Sequence, residues 1–127
     1  MLPSEHLELS ILQYVRIPGA ERWRATSLPS LSSSVKSQDW NEVTDAVIRL
    51  HARSVIMIRK WIDQQGFMMG QNSEEIAGFF NSGEFQLQIT PEGRVYMEAL
   101  SEREKLEKSV AVRSSGIAKG SVLGGDA

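Results

Sequence analysis

An α+β fold, mostly helical, is what this sequence predicts, and three observations carry the prediction. Apolar residues recur at steps of three and four along three long segments, the signature of helices with one buried face. Two shorter segments, residues 55–62 and 85–89, alternate at period two and are rich in β-branched and aromatic residues. Breakers such as Pro18-Gly19, Asn81-Ser82-Gly83 and Thr90-Pro91 separate these segments. The resulting order is three helices, two strands divided by a long insert, and a closing helix.

The first helix, residues 5–16, places Leu7, Ile11, Leu12 and Val15 at helical spacing, with Ser4 available as its N-cap. Between residues 22 and 34, Leu28 and Leu31 flank Pro29, which suits the first turn of a short helix, while Ser32-Ser33-Ser34 weakens it by propensity. The clearest helix starts at Ser37 or Asp39 and ends near Arg53. Val43, Ala46, Val47 and Leu50 form its single apolar stripe, and Arg49 and Arg53 suit the negative end of its dipole. A strand over 55–62 follows, and Gly66, Gly70 and Asn72 break it. Asn72 with Glu75 three residues on marks a short helix over 73–80 inside the insert. Phe85, Leu87 and Ile89 then alternate with Gln86 and Gln88 as a second strand. Thr90-Pro91-Glu92 combines cap, first-turn proline and acid, and the helix it starts uses Val95, Tyr96, Ala99, Leu100 and Leu106.

The 127 residues have room for one domain, read as 1–109, followed by a Gly/Ser/Ala-rich flexible tail over 110–127. Cysteine is absent, which excludes disulfides, thiolate metal sites and a cysteine nucleophile. Apolar runs such as Val55-Ile56-Met57-Ile58 are far below the roughly 20 residues that cross a bilayer, and Glu5 and Glu8 stand where a signal peptide would carry positive charge. A cytoplasmic location is the expectation. No glycine-rich phosphate loop follows a strand, and no serine, histidine and acid form a recognisable set, so no enzyme, catalytic residue or cofactor is expected. His6 and His51 lie in different helices without acids at ligand spacing, so no metal is expected. The three tryptophans, Trp23, Trp40 and Trp61, are read mostly as core or core-edge residues.

Residues 47–61, Val-Ile-Arg-Leu-His-Ala-Arg-Ser-Val-Ile-Met-Ile-Arg-Lys-Trp, look like a recognition helix running into a first wing strand. Residues 85–96, Phe-Gln-Leu-Gln-Ile-Thr-Pro-Glu-Gly-Arg-Val-Tyr, look like a second wing strand running into a closing helix. With the element order, they resemble the winged helix-turn-helix family of small prokaryotic-type transcriptional regulators, over roughly residues 5–106, and Ile89-Thr-Pro-Glu-Gly-Arg94 is the most specific part. The resemblance implies a three-helix core, a two-stranded wing with a long insert and a C-terminal helix. It further implies a homodimer that places the third helix in the major groove of double-stranded DNA and the wing against the backbone. Asn41, Thr44, Ile48 and Arg49 lie off the apolar stripe, with Arg53 beyond them; Asn41 and Arg49 have the chemistry to read adenine and guanine. Arg22, Arg24, Lys36 and Lys60 are the candidate phosphate contacts.

Charge opens an alternative. The net charge is −2, and no lysine or arginine stands between Lys60 and Arg94, where Asp63, Glu74, Glu75, Glu84 and Glu92 do. The same stretch holds Phe67, Met68, Met69, Phe79 and Phe80. Either these fill out the small core, or Phe67, Met68, Phe79 and Phe80 form an exposed patch for a protein partner.

Overall fold

A computed structural model describes residues 1–18 and 22–126, with side chains described as far as residue 110. In chain order the elements are α1 (Pro3–Val15), β1 (Arg24–Thr26), α2 (Leu28–Ser34), α3 (Trp40–Ala52), β2 (Ile56–Ile62), β3 (Gly66–Met69), α4 (Ser73–Asn81), β4 (Phe85–Ile89) and α5 (Pro91–Asp126). The expected mixed, mostly helical class is found. Residues 110–127, expected as a tail, lie almost wholly outside the residues with described side chains.

Local chemistry accounts for the starts of these elements. Asp39 caps α3, its Oδ1 accepting from the backbone N–H groups of Asn41 (3.0 Å) and Glu42 (3.2 Å). Asn72 caps α4 by accepting from the Glu75 N–H at 2.9 Å, while its own amide donates to the Glu75 carboxylate at 3.1 Å. Ser4 does not cap α1. That helix begins two residues earlier than expected, at Pro3, and the Leu2 N–H is satisfied by Glu5 Oε1 at 3.0 Å. Ser27 caps α2, which its serine-rich sequence would hardly sustain alone; Leu28 and Leu31, both buried, hold it to the core.

The sheet is antiparallel in the order β1-β4-β2-β3, four strands rather than the expected two. The central pair is the expected one, β2 with β4, in a register that sets Ile56 opposite Ile89 and Ile58 opposite Leu87. β1 adds three residues along β4, and β3 adds four along the other edge of β2. One sheet face buries Ile56, Ile58, Phe85, Leu87 and Ile89 against Val43, Ala46, Val47 and Leu50 of α3 and Ile11, Leu12 and Val15 of α1. Burying each of these side chains larger than Ala46 contributes about 1.5–3 kcal/mol. The insert joins this core: α4 contributes Ile76, Phe79 and Phe80, and Phe80 stacks on Phe85 with ring centroids 4.4 Å apart. Gly70 lets the insert close down, since a Cβ there would meet Ile58 Cγ2 at 2.8 Å.

The junction of α3 with β2 is locked to the junction of β4 with α5. Ser54 takes a left-handed turn (φ 62°), after which the Val55 carbonyl accepts from the Thr90 N–H at 3.1 Å. The Thr90 hydroxyl donates to the Ser54 carbonyl at 2.6 Å and accepts from the Gly93 N–H at 3.0 Å, capping α5. Gly93 sits so close that a Cβ would meet the Val55 carbonyl oxygen at 2.0 Å. α5 then returns along α1, where Arg103 Nη1 donates to Glu5 Oε2 (2.7 Å), His6 Nδ1 lies 3.3 Å from Glu104 Oε2, and the N-terminal ammonium pairs with Glu107. Among the described residues no helix is long and apolar enough to cross a membrane.

Gly93→Ala should therefore destabilise the chain by about 3 kcal/mol or more, because the obstacle is backbone and not a movable side chain. Thr90→Val, which keeps the shape and removes both hydroxyl bonds, should lose about 1–2 kcal/mol. Urea titration followed by far-ultraviolet circular dichroism checks both values, and the order Gly93→Ala worse than Thr90→Val is the discriminating result.

Candidate functional site

α3 turns about 100° per residue, so its buried stripe leaves Asn41, Asp45 and Ala52 on the opposite side. Asn41 is exposed there, as expected of a base reader. Trp40, at the helix start, is 51% exposed rather than a core residue. Thr44 is half-buried and bends its hydroxyl back to the Trp40 carbonyl at 2.8 Å. Ile48 packs against the edge of the core. Arg49 and Arg53 lie on the flank toward α1 and α5, roughly 80–120° around the helix from Asn41. On this outward side stands one acid, Asp45, which is exposed, and no cation; Glu42, also exposed, shares the flank of Arg49 and Arg53.

The remaining candidate phosphate contacts do not gather beside α3. Arg24 holds its guanidinium 4.7 Å from the centroid of the Tyr14 ring, inside the fold. Lys60 donates to the carbonyls of Glu84 (2.7 Å) and Ser82 (3.2 Å), tying the end of β2 to the start of β4. Arg22 is exposed, and so is Lys36, in the left-handed turn (φ 57°) between α2 and α3. Of the residues expected at DNA, then, Arg24, Arg49 and Lys60 are bonded or stacked within the protein and Arg53 is stacked on Tyr96.

Arg49 is bonded to a residue that is not among the sequence-based candidates. Glu8 of α1 is 3% exposed, and its carboxylate accepts from Arg49 Nε at 3.3 Å and from the Tyr96 hydroxyl at 2.7 Å. The Arg53 guanidinium lies 5.3 Å from the centroid of the Tyr96 ring. A buried carboxylate is tolerated only with such partners, so this triangle joins α1, α3 and α5 at one point. It forms one wall of an open cleft of about 320 Å³ that Leu2, Ser4, Glu5 and Arg103 also line. Burial, together with the bond to Glu8, pushes the Tyr96 phenol up to about 12.

The expected partner patch splits in two. Phe79 and Phe80 are buried, because α4 turns its apolar face onto α3 and the sheet, and they leave the list of surface candidates. Phe67 and Met68 are exposed on β3, together with Met69. The outer face of the sheet extends this group. Trp61 is 57% exposed and meets Phe67 edge-on, centroids 5.1 Å apart. Arg59 lies between two rings, 4.2 Å from the Trp23 centroid and 3.7 Å from that of Phe67, and donates to Gln86 Oε1 at 2.7 Å. The alternation of β2 contains a signal for this face: if Ile56 and Ile58 point inward, Met57, Arg59 and Trp61 must point out. Among the described residues no group of His, Cys, Asp and Glu side chains is arranged to hold a metal ion.

Tyr96 makes the Glu8 triangle measurable. Its proton is held more tightly in the folded chain than in the unfolded one, so the contribution to stability is complete below about pH 10 and is lost as pH rises toward about 12. Absorbance titration of phenolate should show one late transition that Tyr96→Phe removes and Glu8→Ala moves to lower pH. Glu8→Ala should also destabilise the chain by about 2 kcal/mol, with Arg49 regaining water and the phenol losing its acceptor. Compared with protein-family models, curated proteins and solved structures, the chain matches none.

Proposed function

We propose that this chain is a winged-helix module that works by contacting protein, through the hairpin of β2 and β3. The winged-helix assignment is supported by the element order, by the close succession of α2 and α3, and by β1, β4 and β2 forming an antiparallel sheet behind them. In chain order β3 and α4 form the insert between the two wing strands, β2 and β4.

One observation carries the choice of partner: apolar side chains and cations occupy the opposite places from those a DNA-binding winged helix requires. Duplex binding rests on lysines and arginines free to displace counterions from phosphates. Here the outward side of α3 offers Asp45 and no cation, and Arg49, on the flank that also carries Glu42, is held against Glu8. The hairpin, which would meet phosphates, instead exposes Trp61, Phe67, Met68 and Met69, with Asp63 at its turn. Aromatic residues, methionine and a stacked arginine are the composition of protein contact surfaces, with Trp and Arg prominent at their energetic centres.

DNA binding is the second reading, favoured by the element order and by Asn41, Arg22 and Lys36, which remain exposed. One experiment separates the two. A photo-crosslinking residue is placed at position 67 and, in a second version, at position 41, and the purified chains are also titrated with random duplex DNA across a salt series. Protein adducts at position 67, no DNA adduct at position 41 and no DNA binding at low salt are the expected results. DNA adducts at position 41, with binding that weakens steeply as salt rises, would overturn the protein-contact reading in favour of the second one.

A further inference from the structure

Apart from being short, at four residues, β3 is an edge strand without the usual defences. Natural edge strands carry charges, proline or a bulge that discourage another strand from pairing with them. Gly66-Phe67-Met68-Met69 has no charged residue and no proline. Its backbone has an outward half. The Gly70 N–H donates to the Ile58 carbonyl at 2.9 Å, and the β2–β3 register pairs Arg59 with Met69, Lys60 with Met68 and Trp61 with Phe67. An antiparallel ladder alternates, so Met68 directs its N–H and C=O toward β2, while Phe67 and Met69 direct theirs to the open edge. Two donors and two acceptors therefore line an edge flanked by exposed apolar side chains on both sheet faces.

Building on the reading of the hairpin as a contact surface, we infer that its occupant is β3 of a second copy of this chain, paired antiparallel about a two-fold axis at Met68. Free backbone groups in that spacing call for an extended strand, and β3 is complementary to itself. With Met68 opposite Met68 of the other copy, Phe67 of each falls opposite Met69 of the other. Those two pairs are the hydrogen-bonding positions, so all four outward N–H groups find carbonyls. Phe67 and Met69 share the face that carries Trp61, so each cross-strand pair brings a methionine sulfur to an aromatic ring. The strand is uncharged, so two copies meet without like charges opposed along it. Arg59 is already covered by Trp23 and Phe67. The two sheets become one of eight strands. Four residues per strand make a contact smaller than the roughly 1,200–2,000 Å² of stable interfaces, so the dimer forms reversibly with concentration.

The test measures mass by light scattering over a wide concentration series, with amide hydrogen exchange read residue by residue at the two ends of that series. Dimerisation should slow exchange at Phe67 and Met69 by roughly tenfold or more, while Met68, already bonded to β2, changes little. Met69→Pro removes two of the four intermolecular donors but no donor used within the monomer, and Met69→Lys adds an edge charge. Both should remain folded by circular dichroism and stay monomeric; should the proline variant lose the hairpin, the lysine variant still decides. A chain that is monomeric at every concentration overturns the inference. So does a dimer that survives Met69→Lys or that dissociates instead with Leu106→Ser on α5. Crosslinks from position 67 to a different protein, with the chain itself monomeric, would defeat self-pairing while leaving the protein-contact reading intact.

Discussion

Where the chain leaves α3 and where it enters α5, two backbones meet at a distance that admits no side chain between them. The Thr90 hydroxyl bridges the two junctions, and Gly93 rests on the Val55 carbonyl. This clasp fixes the register of β2 against β4, because Val55 and Thr90 form the pair next in line after Ile56 and Ile89. It also fixes the first turns of α5 relative to the last turns of α3. Only with that relation set can Arg49 from one helix and Tyr96 from the other converge on Glu8 of α1. A buried carboxylate of α1 then serves as the common acceptor for α3 and α5, and misplacing any one of the three helices would leave a polar group without a partner.

The same geometry explains why a chain with 14 lysines and arginines presents so little free positive charge on the outward side of α3 and on the β2–β3 hairpin. Arg24 and Arg59 are laid against aromatic rings, Lys60 fastens neighbouring strands by their carbonyls, and Arg49 neutralises Glu8. Each has become part of the frame. The apolar residues show the reverse: strand alternation leaves Trp61, Phe67 and Met69 on the sheet face away from the core, while Phe79, Phe80 and Phe85 pack beneath it.

Much of the fold can be read from residue spacing alone. The α3 stripe is buried as its period indicates, and Asn72 and the Thr90-Pro91 start cap the helices they announce, because these signals are local. β1 and β3 are hidden in the sequence for a physical reason. Strands of three and four residues are too short to show alternation, and they exist because β4 and β2 offer edges to pair with. Gly70 reads as a breaker in sequence, yet its position reflects the approach of Ile58 and Phe79, which only the folded chain reveals. The candidate site is less legible. Spacing places Arg49 off the stripe but does not name its neighbour, and Glu8, whose burial decides the matter, stands three, four and seven residues before Ile11, Leu12 and Val15, a spacing that puts an acid on the buried face without showing which partners it meets there. Nor does sequence separate Phe67 from Phe80, since the distinction depends on how α4 closes.

The way the insert is seated has a bearing on how the molecule comes apart. An ordinary long loop between two strands opens and closes on its own, at little expense to the rest of the domain. Here Ile76, Phe79 and Phe80 are core residues, and Gly70 closes the segment onto Ile58. Loosening the insert therefore uncovers the middle of the sheet, so it belongs to the same cooperative unit as the helices. Shortening it to a tight hairpin would remove core volume along with loop length, which makes it a poor place to trim the chain and a costly place to insert into it.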